Sequence, residues 1–372
     1  MPSLNPIKYI RFISRIMRYG SKVKHKTNLG LFKQGVEVYR LFRLNLLEPK
    51  EYYDYELFDP RLSWDDKKIF LSRNQFAMMH RELNPPKDMG TTNKLVFKFY
   101  AQHFNLPIPK MYGLFDPNFG FDPEGGELRT LEQLGRLVAR PEITEFMLKA
   151  IGADKGRGSM LCLKKDDRTL HAIGIGDLTI PQLHERMVGT HHNQHKFVTD
   201  SWLIEERIRQ HPFFDNYTDS CTQTIRVIAF AARTGEIEII AAGLNIARKG
   251  RPNDNVGEDG MAARVDENGI LGQAVQRTPE GLKYFDKHPE TGYPITGQKL
   301  PKFDEALKLA IRAQSVVPHM RILGWDIAIT AKGPVILEGN AYWNWETMQR
   351  ISRRGLIRKS LAREIREIMA IN

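Results

Sequence analysis

The chain has 372 residues, enough to bury a large core as one big domain or as two to three smaller units, and its 41% hydrophobic and 27% charged residues are globular values. Fifty-five Lys and Arg against 44 Asp and Glu leave a formal net charge of +11, which favours anionic partners: nucleotides, phosphorylated sugars, nucleic acid or acidic membrane surfaces. Two cysteines, Cys162 and Cys221, exclude a disulfide framework, and the lack of an 18-residue apolar run or a secretion signal predicts a soluble cytoplasmic protein.

The first predicted element is a helix over residues 6–18, which puts Ile10, Ile13, Ile16 and Met17 on one face and Lys8, Arg11, Arg15 and Arg18 elsewhere. It could pack on its own domain or lie on an anionic membrane surface. Residues 1–90 as a whole read as mostly helical, with apolar stretches at 32–47 and 65–83 punctuated by Glu48-Pro49 and Pro85-Pro86. From 91 onward helices alternate with short strands. A helix is expected at 92–103, then a turn through Pro107 and Pro109 into residues 111–115. Strands are expected at 146–150, 160–163, 202–206, 224–232, 237–243, 322–329 and 334–338, with a helix at 304–317 before the last two. Hairpin-like turns such as Arg233-Thr-Gly-Glu236 predict an α+β fold with largely antiparallel sheets.

Within this pattern, Lys149 sits in an apolar strand and is followed by Gly152, Lys155, Gly156, Arg157, Gly158 and Ser159. Glycines let main-chain N–H groups approach phosphate oxygens, and the Lys and Arg supply charge; the alternative is an ordinary hairpin turn. The spacing is not that of a Walker loop. His191-His192-x-x-His195 has ligand-like spacing but lies in a polar stretch and reads as surface, because zinc would need further ligands. Downstream, residues 200–212 run from an apolar strand into Glu205 and Glu206, where a carboxylate and aliphatic walls such as Ile208 suit a nucleoside, unless this is simply a solvated strand end.

The last two strands form the most informative pair. Pairing about Lys332 places Asp326 opposite Glu338 and Gly324 opposite Asn340, so Asp326, Glu338 and Asn340 converge on one face. Adjacent carboxylates repel, so a positive charge is expected between them, and oxygen donors of this kind suit Mg2+. A register slip of one residue would instead scatter the three groups.

In chain order, the lysine strand with its glycine loop, the paired acids and the Asp with Glu-x-Asn resemble the ATP-grasp fold across residues 90–350. Glu206-Arg-Ile-Arg-Gln-His-Pro212, Cys221-Thr-Gln-Thr-Ile-Arg-Val227 and Leu337-Glu-Gly-Asn340 look most like the sugar-transfer-associated ATP-grasp group, which is related to α-L-glutamate ligases. The resemblance implies two α+β subdomains clasping ATP with largely antiparallel sheets, behind a helical region at 1–90. A linking segment would span 91–145, a subdomain with the glycine-rich flap 146–210, and a subdomain with the metal site 211–372.

It further implies ATP and Mg2+ as cofactors, with Lys94 and Lys149 on the phosphates under a loop that includes Gly156, Gly158 and Ser159. Glu205, Glu206 and Ile208 would hold the adenine, and Gln210 or His211 would approach the ribose. Arg226 and Lys149 would act on the transferred phosphoryl group, and Asp326, Glu338 and Asn340 would bind the metal. Residues 242–260 look like the family's acceptor-side loop, with Arg248, Asn255 and Gly257 near the substrate. The implied activity is an ATP-dependent carboxylate–amine ligase acting through an acyl phosphate on small molecules, in polysaccharide or peptide-like metabolite modification. A small-molecule kinase on the same site is the enzymatic alternative, and a basic nucleic-acid- or membrane-binding protein the non-enzymatic one. Two departures stand out: residues 1–90 read helical where many such ligases open with a Rossmann-like domain, and Ala341-Tyr-Trp-Asn-Trp345 replaces a small-residue and proline turn. The aromatic stretch is therefore the expected place for the acceptor.

Overall fold

The computed structural model describes residues 6–23, 27–84, 93–151, 158–189, 201–250, 254, 260–279 and 281–371. Among them, helices α1 (Pro6–Val23), α2 (Leu31–Asn45), α3 (Pro49–Asp54), α4 (Trp64–Lys67), α5 (Arg73–Leu83) and α6 (Lys94–His103) precede the first strand. The stretch expected to be helical at 65–83 is in fact two helices. Ser72 accepts from the backbone N–H of Gln75 while the Gln75 side chain accepts from the N–H of Ser72, a capping box that starts α5 afresh. Asn93 caps α6 in the same spirit by accepting from Leu95 and Val96 N–H.

Two antiparallel sheets follow. The first comprises β1 (Met111–Phe115), β2 (Glu145–Ala150), β3 (Ser159–Lys164), β4 (Thr169–Ala172), β5 (Gly176–Thr179) and β6 (Trp202–Glu206), in the order β1-β6-β2-β3-β4-β5. Helices α7 (Leu131–Ala139) and α8 (Ile180–Gly189) cover one face, where Phe146, Leu148, Met160, Cys162, Trp202 and Ile204 pack. Because strand side chains alternate, Met147, Lys149, Leu203 and Glu205 lie on the other face. The second sheet comprises β7 (Ile225–Ala231), β8 (Ile237–Ile246), β9 (Met261–Val265), β10 (Leu271–Thr278), β11 (Gly281–Phe285), β12 (Ile322–Ile329) and β13 (Pro334–Asn340). Its order is β11-β10-β9-β8-β7-β12-β13. One face, with Val227, Leu244, Trp325 and Ile327, packs on α9 (Phe303–Ser315). The other, with Ile228, Phe230 and Ile322, packs on α5, α10 (Trp345–Ser352) and α11 (Lys359–Ile371). The expected α+β architecture with antiparallel sheets behind a helical region is what the chain adopts.

The helical region is stitched to the second sheet. The Asn84 side chain donates to Ile322 C=O at 2.7 Å and accepts from Ile322 N–H at 3.1 Å, and Gln349 does the same for the backbone of Leu71 at 3.0 and 2.6 Å. Each amide satisfies a backbone donor and acceptor that would otherwise be stranded in the core. The aromatic stretch after Asn340 serves this junction, not an acceptor pocket as expected. Trp343 is fully buried and meets Phe76 of α5 edge-on at 5.3 Å, Trp345 stacks on Phe76 at 4.1 Å, and the Asn344 side chain caps α10. Of its three aromatic residues Tyr342 is the exposed one, stacked on His80. A second correction concerns residues 242–246, read above as the start of a loop: they are the end of β8, paired with both β7 and β9.

Candidate functional site

The β12–β13 hairpin is tighter than the sequence suggests, and a bulge repairs the difference. At the turn Ile329 pairs with Pro334 and Ile327 with Ile336, a register that, continued, would set Asp326 against Leu337. Instead Leu337 is the extra residue, and beyond it Asp326 pairs with Glu338, Trp325 with Gly339 and Gly324 with Asn340. A one-residue bulge flips every later side chain to the opposite face, so it is what brings both carboxylates together. Gly333, at φ +146°, closes the turn, with Thr330 and Gly333 exchanging backbone hydrogen bonds.

The positive charge expected beside these carboxylates comes from the next strand. Arg226 on β7 pairs directly with Asp326 and grips it with a two-pronged hydrogen bond, Nη2 to Oδ2 at 2.6 Å and Nε to Oδ1. Asn340 Nδ2 donates to Asp326 Oδ2 and Glu338 Oε1, both at 3.1 Å. Gly324 makes room for this: a Cβ there would lie 3.0 Å from Arg226 Cδ and 2.7 Å from Trp343 Cβ. One guanidinium does not balance the acids. Burial pushes the Asp326 carboxyl up to about 7 despite Arg226, with Glu338 and Asp254 adding to the rise. Glu338 stays below the usual range, because Asn340, Lys149 and Arg226 outweigh its burial. Asp254, which the sequence reading passed over in favour of its neighbour Asn255, accepts from Thr224 N–H at 2.9 Å and Thr224 Oγ1 at 2.5 Å, and burial lifts it to about 6.

The first sheet carries the opposite imbalance. Glu205 on β6 pairs with Met147, and Lys149 with Leu203, so Glu205 and Lys149 are diagonal neighbours on one face and form an ion pair. A second lysine, Lys98 of α6, reaches Glu205 Oε2 at 2.6 Å and donates to Pro109 C=O at 2.8 Å. Burial would raise the Glu205 carboxyl, but Lys149 and Lys98 hold it below the ordinary range. Burial would lower Lys149, but Glu205, then Glu338 and Asp326, keep it raised. For Lys98 burial wins and the ammonium is lowered. Lys149 thus lies within electrostatic reach of the carboxylates of the second sheet. The sequence signal for Lys98 was available but missed: a Lys between Phe97 and Phe99, one helical turn beyond Lys94 on the buried row with Ala101.

Other expected site residues fall less simply. Glu205 is 1% exposed and fully engaged by its two lysines, which corrects its expected role beside the adenine. Glu206 ends the strand, exposed; its N–H donates to Lys110 C=O and its carboxylate accepts from Lys110 N–H. Ile208 is half-buried, with its C=O accepting from Thr222 Oγ1. Gln210 bonds Thr218 C=O and Gln223 N–H, and His211 Nδ1 caps the short 3-10 turn at Pro212–Asn216, so both side chains serve local structure rather than an open ribose site. Lys94 occupies the first turn of α6. Gly158 adopts φ +70° just before Ser159, which opens β3 opposite Lys149. Arg248 is paired with Glu290. Gly156, Asn255 and Gly257 lie outside the described residues, as do Gly152, Lys155, Arg157 and the histidines at 191, 192 and 195.

The donor set fits a hard cation. Among the described residues no three His, Cys, Asp or Glu side chains are gathered as a metal cluster, but Asp326, Glu338 and the amide of Asn340 are oxygen donors of the type Mg2+ takes, with Arg226 the cation that grips Asp326. Asn340 would turn its amide to offer oxygen in place of nitrogen.

Residues 75–365 match the family described as sugar-transfer associated ATP-grasp. No curated protein matches the sequence. Solved structures of similar shape include D-alanyl-alanine synthetase A from Vibrio cholerae, at 13% identity and a TM-score of 0.43, covering 76% of this chain and 66% of that one. An N5-carboxyaminoimidazole ribonucleotide synthetase in its ADP complex is 12% identical with a TM-score of 0.36, covering 72% and 52%. The ATP-grasp ligase PsnB, complexed with a phosphomimetic variant of its minimal precursor, Mg and ADP, is 15% identical with a TM-score of 0.38, covering 77% and 61%. The chain spans less than two thirds of the length of each of these proteins.

Proposed function

The chain belongs to the sugar-transfer associated ATP-grasp family, and from that premise we propose that it is an ATP-dependent ligase that joins a small-molecule carboxylate to an amine through an acyl phosphate. One observation carries the reading: two buried ionic clusters of opposite imbalance lie within electrostatic reach of each other. Lys98 and Lys149 share one carboxylate, Glu205, and leave a positive surplus suited to a polyphosphate. Arg226 serves Asp326 and Glu338 and leaves a negative surplus suited to a cation. Residues 146–210 and 211–372 are, on this reading, the halves that close on the nucleotide, with 91–145 linking them to the helical region 1–90.

In the reaction, the terminal phosphoryl group passes from ATP to a carboxylate oxygen and ADP leaves. An amine nitrogen then attacks the acyl carbon, phosphate leaves and the amine gives up a proton. Such chemistry asks the protein for positioning and charge neutralisation, not for a nucleophile. Lys149 holds phosphate oxygens, and Arg226, anchored by Asp326, presents its guanidinium to the transferred group. Asp326, Glu338 and Asn340 would hold Mg2+, which when bound supplies further neutralisation of phosphate charge. Gly158 and Ser159 bring backbone N–H groups over the phosphates. Glu206 and Ile208 would hold the base, and Arg248 would serve the acceptor side. A cytoplasmic location goes with this reading, since ATP is abundant there and thiols stay reduced; Cys162 and Cys221 are free and buried.

Calorimetric titration of wild type, Lys149→Ala and Glu338→Ala with Mg-ATP tests the site. Each substitution is expected to weaken binding at least tenfold, about 1.4 kcal/mol; wild-type affinity in both variants refutes the assignment. Incubation with ATP and paired carboxylates and amines is expected to yield ADP, free phosphate and an amide, whereas a phosphorylated product without free phosphate would make the protein a kinase.

A further inference from the structure

The first 36 residues contain eight Lys and Arg and no Asp or Glu. They build α1 and the start of α2, which run antiparallel: Gly20 faces Leu31, Ile16 faces Gly35, and the rings of Phe12 and Phe42 meet at 5.2 Å. In α2 this contact row lies between two others. Gln34, Val38 and Leu41 turn inward onto the core of Tyr52, Tyr53 and Leu57, and Phe32, Val36 and Tyr39 turn outward. In α1 the same spacing puts Ile10, Ile13 and Met17 on the outward flank of its contact row, so the two apolar stripes lie side by side on the solvent face of the hairpin. These are six of the fourteen large hydrophobic residues exposed among the described residues, and they include the most exposed of all, Phe32 at 83%. Scattered apolar side chains on a surface need no explanation; a contiguous set rimmed by charge does.

The rim is basic. Arg11, Arg18 and Lys22 of α1 and Lys33 and Arg43 of α2 are all exposed around the stripe. That charge pattern chooses the occupant. A second copy of the hairpin would bring two cationic rims together, whereas an anionic phospholipid surface satisfies the rim while its acyl boundary takes the apolar side chains. No described helix is long and apolar enough to cross a membrane. We propose that the α1–α2 hairpin docks the protein on an anionic phospholipid bilayer, with Ile10, Ile13, Met17, Phe32, Val36 and Tyr39 entering the interface and the surrounding Arg and Lys on the headgroups.

Co-sedimentation of the full chain with vesicles of phosphatidylglycerol and phosphatidylcholine, compared with phosphatidylcholine alone, tests this without any nucleotide. Binding is expected on the anionic vesicles only, weakened but not abolished by 0.5 M salt. Ile13→Glu with Phe32→Glu is expected to weaken it at least tenfold at an unchanged melting temperature, because both side chains are already in water. Arg11→Glu with Arg18→Glu, which leaves the apolar stripe intact, is expected to weaken it severalfold and gives a second reading should the first pair misfold. Failure of the wild type to bind anionic vesicles overturns the proposal. So does equal binding by both variants, and so does a sedimentation-velocity dimer that the Ile13→Glu and Phe32→Glu changes dissolve, which would make the face an interface between copies.

Discussion

Glu205 on β6 and Asp326 on β12 are both buried carboxylates held by basic side chains, yet their carboxyl groups move in opposite directions. Glu205 is paired with two lysines and stays below the ordinary carboxylate range; Asp326 shares one arginine with Glu338, feels Asp254 as well, and rises to about 7. Burial penalises both charged forms equally in kind, so the outcome is set by how many cations each carboxylate can claim. A surplus of one sign in a desolvated site is costly unless something complements it. The two surpluses, positive on the first sheet and negative on the second, therefore suit two ligands of opposite charge.

That contrast can be broken from either side. The largest effect is expected from Glu205→Ala, which strands Lys98 and Lys149: about 3–5 kcal/mol of stability should be lost in urea denaturation, and a loss below about 1 kcal/mol would mean the lysines were solvated all along. Arg226→Leu should cost less in folding, because Asp326 can take up a proton, but should slow ATP turnover about 100-fold, near 2.7 kcal/mol, in steady-state assays. Asn340→Leu leaves the bulge and the register intact but removes the amide that bridges Asp326 and Glu338. The fold should survive by circular dichroism, while the Mg2+-dependent gain in ATP affinity falls at least tenfold, about 1.4 kcal/mol.

The subtlest difference lies in pH. The Asp326 carboxyl is raised from 3.8 to about 7 on folding, so its contribution is fully present below pH 3.8 and is lost as the pH climbs through 7. Glu205 is lowered from 4.5, so its contribution is present above that value and is lost as the pH falls through its folded value. Between pH 4 and 7 the Asp326→Asn protein should lack a downward slope of up to about 1.4 kcal/mol per pH unit that the wild type shows, and Mg2+ should flatten the wild-type slope by favouring the ionised form. An unchanged slope in Asp326→Asn would assign the titration to another group.

How much of this was legible beforehand varies with distance along the chain. The α+β order, β2, β6, β12 and β13, and the facing of Asp326, Glu338 and Asn340 follow from apolar alternation and short turns. The split of α4 from α5 was not seen, because the Ser72 and Gln75 capping box sits inside an otherwise apolar run. The helices after Asn340 were hidden by an aromatic cluster that resembled a binding site and proved to be core around Phe76. Even the correct facing at β13 rested on a compensation: the turn is one residue tighter than pairing about Lys332 supposes, and the Leu337 bulge restores the register.

Sequence by itself determined that β2, β3, β6, β7, β12 and β13 are strands and that side chains alternate along each, since a two-residue period and a glycine at a turn are local facts; β4, β5, β9, β10 and β11 went unread. Tertiary structure alone decided the partners. Arg226 and Asp326 are 100 residues apart, and Lys98 reaches Glu205 from a helix that belongs to neither strand pair. An ion pair forms wherever the fold leaves two charges within reach and away from water. The energy of that pairing depends on distance and burial in space, which no local pattern along the chain encodes.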